Sequence, residues 1–156
     1  MSEPDDPGGR TPRVSLVDEQ NRPVDVAALE RLAERALDSA KVPAGHSLSV
    51  ALVDRARIAE LKGRYYGERR ATDVLAFPMD PIDAPAPATL GDVVICIEVA
   101  ERQARGLGLV PQAEIELLLV HGILHLAGFD HEDADGEREM AREERRVLKL
   151  AREEAS

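Results

Sequence analysis

His121-Gly122-Ile123-Leu124-His125-Leu126-Ala127-Gly128-Phe129-Asp130-His131 holds three of the chain's four histidines in eleven positions. His121 and His125 stand four apart, a spacing that on an α-helix stacks both imidazoles on one face, one turn above the other. Gly128 can end such a helix in the left-handed conformation that a Cβ resists. That reversal brings His131 back towards the pair. Two ligands from a helix and a third beyond a glycine turn make a three-histidine site with a fourth position open, the arrangement of a catalytic zinc. The alternative is a pair of core histidines satisfied by backbone carbonyls. Against it, each imidazole in an apolar helix needs partners at both nitrogens, and one cation answers for both residues. Asp130 reads as a helix cap or as an acceptor behind a ligand, with an extra metal ligand as the alternative.

The same stretch decides the architecture. Upstream of it, Pro111 suits a first helical position, and Glu114 and Glu116 complement the helix's positive end. Ile115, Leu117, Leu118, Leu119, Val120, Ile123, Leu124 and Leu126 are apolar nearly all round, so this helix is buried and other layers must cover it. Downstream, a last helix carries acids early and Arg142, Arg145, Arg146, Lys149 and Arg152 later, with Met140, Val147, Leu148 and Ala151 to dock it.

Towards the N-terminus, strands and helices interleave. Val14 and Leu16 alternate in a short strand. Asp25 caps a helix over about 26–41, with Leu29, Leu32, Ala33, Ala36, Leu37 and Ala40 as its stripe. Leu48, Val50 and Leu52 form a second strand, and Asp54 caps a short helix bearing Ile58, Leu61 and Tyr65. Residues 73–78 read as a third strand closed by Pro78, residues 79–90 as a loop, and residues 93–97 as a strand buried on both faces. A helix follows to about Arg105, stopped by Gly106 and Gly108. Residues 1–12 hold three prolines, two glycines and no apolar periodicity, and read as a disordered tail. The expectation is one α+β domain over 13–156: a small four-stranded sheet packed with about five helices.

Composition narrows the classes. The 156 residues have a formal net charge of −10, which excludes nucleic-acid binding through a general basic surface but leaves room for a local basic patch or a metal. Cys96 is the single cysteine, so no disulfide framework exists and a reducing cytoplasm fits. Its reading is a small buried strand residue, with a fourth metal ligand as the alternative. No apolar run approaches a membrane span or a signal peptide, so no membrane association is expected. His46, alone before a strand, reads as a surface or loop residue.

The spacing H-x-x-x-H-x-x-G-x-x-H is that of metzincin zinc proteases with one departure. Those enzymes place a glutamate directly after the first histidine as general base, and here that position is Gly122. Glycine inside a helix costs about 1 kcal/mol relative to alanine, so space or a close approach is wanted there. Without the carboxylate, peptide hydrolysis becomes the minor reading.

HGILHLAGFDH at 121–131, TDVLAFP at 72–78 and LGDVVIC at 90–96 together resemble the YbeY family of bacterial metal-dependent endoribonucleases. The resemblance runs from about residue 13 to 150. It implies a single-strand-specific endoribonuclease of ribosomal RNA maturation, at the 3′ end of the small-subunit RNA, and of ribosome quality control. It also implies the small ribosomal subunit and its proteins as partners, one zinc ion per chain held by His121, His125 and His131, and a compact mixed sheet with surrounding helices, related in architecture to zinc proteases. The family's arginine, often in a Tyr-Arg-Gly triplet, is absent from Tyr65-Tyr66-Gly67, which leaves Arg64 as the candidate catalytic arginine. Lys62, Ala71 and Ala76 are further departures. Asp92, in LGDVVIC, is a candidate for orienting a ligand or the strand backbone.

Residues 61–70 (LKGRYYGERR) are the one basic, aromatic stretch. Lys62, Arg69 and Arg70 suit phosphate and Tyr65 and Tyr66 suit base stacking, as single-stranded RNA requires. A solvated helix face followed by a turn, with Tyr65 in the core, is the other reading. Two further classes stand beside the nuclease: a zinc hydrolase acting on peptides or small amides, and a non-catalytic ribosome assembly factor with a structural metal.

Overall fold

A computed structural model describes residues 12–68, 70–129 and 133–155. Except for Pro12, the expected tail lies outside them, as do Arg69, Asp130 and His131. Among the described residues the order is β1 (Val14–Asp18), α1 (Val26–Ser39), β2 (His46–Val53), α2 (Arg55–Tyr66), β3 (Val74–Pro78), β4 (Ala88–Cys96), α3 (Ile97–Leu107), α4 (Pro111–Leu126) and α5 (Ala134–Ala155). These are the four strands and five helices that the periodicities imply, in the mixed sheet that the resemblance implies.

The caps form where the side chains allow. Asp25 accepts from the Ala28 amide at 3.0 Å and Asp54 from the Arg57 amide at 2.8 Å, each satisfying a donor that a helix start leaves open. The sheet runs β1-β2-β4-β3, with β1, β2 and β4 parallel and β3 antiparallel to β4 at the edge. Alternate residues of each strand therefore serve two different layers.

On one face, Leu48, Val50, Leu52, Leu90, Val93 and Ile95 join Leu119, Ile123 and Leu124 of α4 and the stripe of α1 in the main core. Met140 and Val147 dock α5 onto it. On the other face Val53, Ile58, Leu75, Val94 and Cys96 form a smaller cluster beneath α2. Cross-strand partners Ser15, Ser49, Asp92 and Phe77 make a row across that second face, beside a cavity of about 560 Å³.

Four expectations need correction. The loop after β3 covers only 79–87, because β4 begins at Ala88: the Met79 and Asp80 amides donate to Leu90 and Thr89 carbonyls, so the two strands remain laddered past Pro78. The prolines hid that pairing. His46 is buried, 1% exposed, and its Nε2 lies 3.0 Å from the Pro81 carbonyl, tying this loop to β2. Tyr65 is 60% exposed and so is not in the core. Helix α3 begins at Ile97, which leaves the buried strand to end at Cys96.

Candidate active site

Helix α4 presents its histidines because its polar face is narrow. His121 and His125 both line a pocket of about 190 Å³ whose other walls are Tyr66, Val74, Leu75, Ala76 and Gly122. The i, i+4 spacing thus places both imidazoles at one opening, between α4, the edge strand β3 and the end of α2. His125 is exposed and the His121 side chain is 39% exposed. Gly128 takes φ of 101°, the left-handed turn expected after the helix. His131, the expected third ligand, lies outside the described residues, as does Asp130. Among the described residues no group of three ligating side chains gathers. The donors in place, two imidazoles at one mouth, suit part of the coordination of a divalent ion such as zinc.

Gly122 is a contact residue. A Cβ there would come within 2.9 Å of Val93 Cγ1 and 3.2 Å of its Cγ2, closer than side chains pack. At this point α4 lies against the sheet, and a glutamate in the protease position would collide with β4. The departure from the protease pattern therefore has a steric cause, and it weighs against peptide hydrolysis.

Sequence reasoning missed Glu144. Its carboxylate stands 2.5 Å from Nδ1 of His121, across from α4, with only 14% of its side chain exposed. That hydrogen bond raises the pKa of His121 above the usual imidazole value; burial works against it, and the charges of Glu144 and Asp73 add to the rise. A signal existed: Glu144 falls four residues after Met140 and three before Val147, an acid on the stripe that docks α5.

The basic stretch divides. Tyr66 lines the histidine pocket and its hydroxyl donates to the Ala76 carbonyl at 3.4 Å. Tyr65 and Tyr66 both stack obliquely on Phe77, with centroids 5.2 and 5.9 Å away. Arg64 is exposed on the last turn of α2 and is not among the pocket's walls. Two residues along a helix turn about 200°, so Arg64 leaves α2 on the side away from Tyr66. Lys62 and Arg70 approach Glu68 at 3.3 and 3.8 Å, which offsets part of their charge. Arg69 lies outside the described residues.

Cys96 belongs to the smaller cluster on the opposite face of the sheet from α4, and burial pushes its thiol pKa up. A buried protonated thiol on the far face does not complete a cation site at His121. Asp92 likewise lies on that far face, paired in register with Ser49 and Phe77 and lining the larger cavity.

Fold and site describe a small α+β protein that holds a helical histidine pair in a pocket at the edge of a mixed sheet. The profile of the family described as Endoribonuclease YbeY matches residues 15–152, and the chain belongs to that family. Proteins named Endoribonuclease YbeY from Thermobifida fusca and Acidothermus cellulolyticus are each 46% identical to it, over 81% of this chain and 86% and 84% of their own. The solution structure of TM1509 from Thermotoga maritima superposes with a TM-score of 0.65 at 28% identity, covering 90% of both chains.

Proposed function

We propose that this chain is a metal-dependent endoribonuclease that cuts single-stranded RNA, with ribosomal RNA, at the 3′ end of the small-subunit molecule, as its substrate. It would work in the cytoplasm on the small subunit and its proteins, in maturation and in quality control. Relatives 46% identical to it bear the name Endoribonuclease YbeY. The observation that carries the reading is the meeting of His121 and His125 in one pocket beneath Tyr66, a cation site beside a stacking surface.

His121, His125 and His131 would hold one zinc ion. Bound there, it would supply Lewis-acid polarisation of a phosphoryl oxygen and neutralise charge on the phosphate. The chain's own residues do the rest. Tyr66, 55% exposed, and Tyr65 offer ring faces to unpaired bases. Arg64 and Arg70, exposed on the last turn of α2 and shortly after it, would meet phosphates further along the strand, outside the pocket itself. Duplex RNA buries its base faces in stacking, so a site that grips by stacking favours single strands.

The test uses metal-quantified protein on single-stranded and duplex RNA, with His121→Ala prepared in parallel. Cleavage restricted to single strands, lost together with bound zinc in His121→Ala, supports the reading. Equal cleavage by both proteins with equal metal content would sink it.

A further inference from the structure

We infer that Glu144 is the residue that positions His121 for a cation, the part a family of buried carboxylates plays behind metal-binding imidazoles. The inference rests on the metal reading above and adds a residue from a different helix to it.

A neutral imidazole carries one proton, on Nδ1 or on Nε2, and the bond made by one nitrogen decides which is left to give its electron pair. In this chain the choice is made by geometry. A carboxylate oxygen of Glu144 lies 2.5 Å from Nδ1 of His121. An ionised carboxylate only accepts, so Nδ1 carries the hydrogen and donates it. The lone pair is left on Nε2, at the other edge of the ring.

The surroundings match that division. His121 lines two openings, one with Glu137, Met140, Ala141 and Glu144 of α5, the other with His125, Tyr66 and β3. The carboxylate occupies the first, and the second is where His125 waits. Glu144 is held there rather than drifting in solvent. It sits between Met140 and Val147 on α5, both buried in the main core at 2% and 0% exposed. Packing that fixes α5 therefore fixes the ring plane of His121.

This carboxylate is no substitute for the glutamate that zinc proteases carry at the position of Gly122. The acid comes from α5, 23 residues beyond His121, and reaches the back of the histidine rather than the front of the pocket. From there it orients a ligand and does not itself face the substrate.

The experiment measures zinc affinity by competition with a chromophoric chelator for the wild-type chain, Glu144→Ala and Glu144→Gln, with thermal unfolding of each metal-free protein. Loss of the alanine variant's affinity by about 10–100-fold is expected, with a smaller loss for glutamine, whose carbonyl still accepts from Nδ1. Unchanged zinc affinity in Glu144→Ala would overturn the inference and leave the contact as a simple clamp between helices. If Glu144→Ala fails to fold, long-range ¹H–¹⁵N spectra of the metal-free wild type, above the imidazole's titration, decide the matter. A proton on Nδ1 of His121 supports the inference and a proton on Nε2 overturns it. Failure of the wild type to bind zinc at all would refute the three-histidine site, and the same spectra would still judge Glu144.

Discussion

Nδ1 of His121 and a carboxylate oxygen of Glu144 meet at 2.5 Å where α5 crosses α4, and this contact ties the stability of the metal-free protein to pH. The bond is absent from the unfolded chain, so the folded pKa of His121 lies above its unfolded value of about 6.5. A raised pKa contributes stability that is complete below the unfolded value and disappears as pH rises through the folded one. In chemical denaturation, the stability advantage of the metal-free wild type over Glu144→Gln should be largest in mild acid and shrink as the solution becomes alkaline. An advantage that grew with pH would contradict the assignment. Zinc competes with the same proton, so its affinity should climb across that window.

Gly122→Ala tests the crossing of α4 and β4. Alanine gains about 1 kcal/mol of helix propensity, but a Cβ 2.9 Å from Val93 Cγ1 brings overpacking worth about 1–3 kcal/mol. A net loss of about 1 kcal/mol is expected in urea unfolding. Val93→Ala in the same chain should recover part of it, with a coupling of about 0.5–3 kcal/mol. Strict additivity of the two changes would mean that the contact does not matter.

Metal removal gives a third measurement. Zinc at a hundredfold excess over its dissociation constant stabilises the folded state by about 2.7 kcal/mol. For a chain of this size that raises the melting temperature by about 5–10 °C, and a chelator should abolish the rise. His121→Ala should melt alike with and without zinc. Cys96→Ala should keep the full zinc-dependent shift, because Cys96 packs with Val53, Ile58 and Val94 on the far face.

Tyr66 and Arg64 should separate cleanly in steady-state cleavage of single-stranded RNA. Tyr66 is a wall of the histidine pocket, and loss of its stacking is worth about 1–3 kcal/mol per base, so Tyr66→Ala should lower kcat/KM by at least fivefold. Arg64→Ala should raise KM and reduce the slope of log affinity against log salt by about one, with kcat nearly unchanged. A collapse of kcat in Arg64→Ala alone would place the guanidinium at the reacting phosphate.

What the residues disclosed in order along the chain follows a physical line. Local patterns were legible: the caps at Asp25 and Asp54, the stripe of α1, and the nearly all-apolar α4 with its histidines one turn apart. Each depends on neighbours a turn away. What escaped depends on elements meeting from a distance. His46 is buried because a proline-rich loop folds back over it, β4 starts early because it ladders with residues past Pro78, and Glu144 matters because α5 crosses α4 there. Gly122 was half legible: its cost signalled a close approach, but only the crossing names Val93 as the neighbour.

The protease pattern cannot be restored at position 122 by exchanging that residue alone. With Val93 Cγ1 2.9 Å from where the first added carbon would go, a side chain there strains the helix–sheet contact before its carboxylate reaches the pocket. Making room would require a smaller residue at 93, and trimming that fully buried valine opens a cavity in the main core. A single missing carbon atom thus ties what can stand beside the histidine pair to the packing of the sheet behind it.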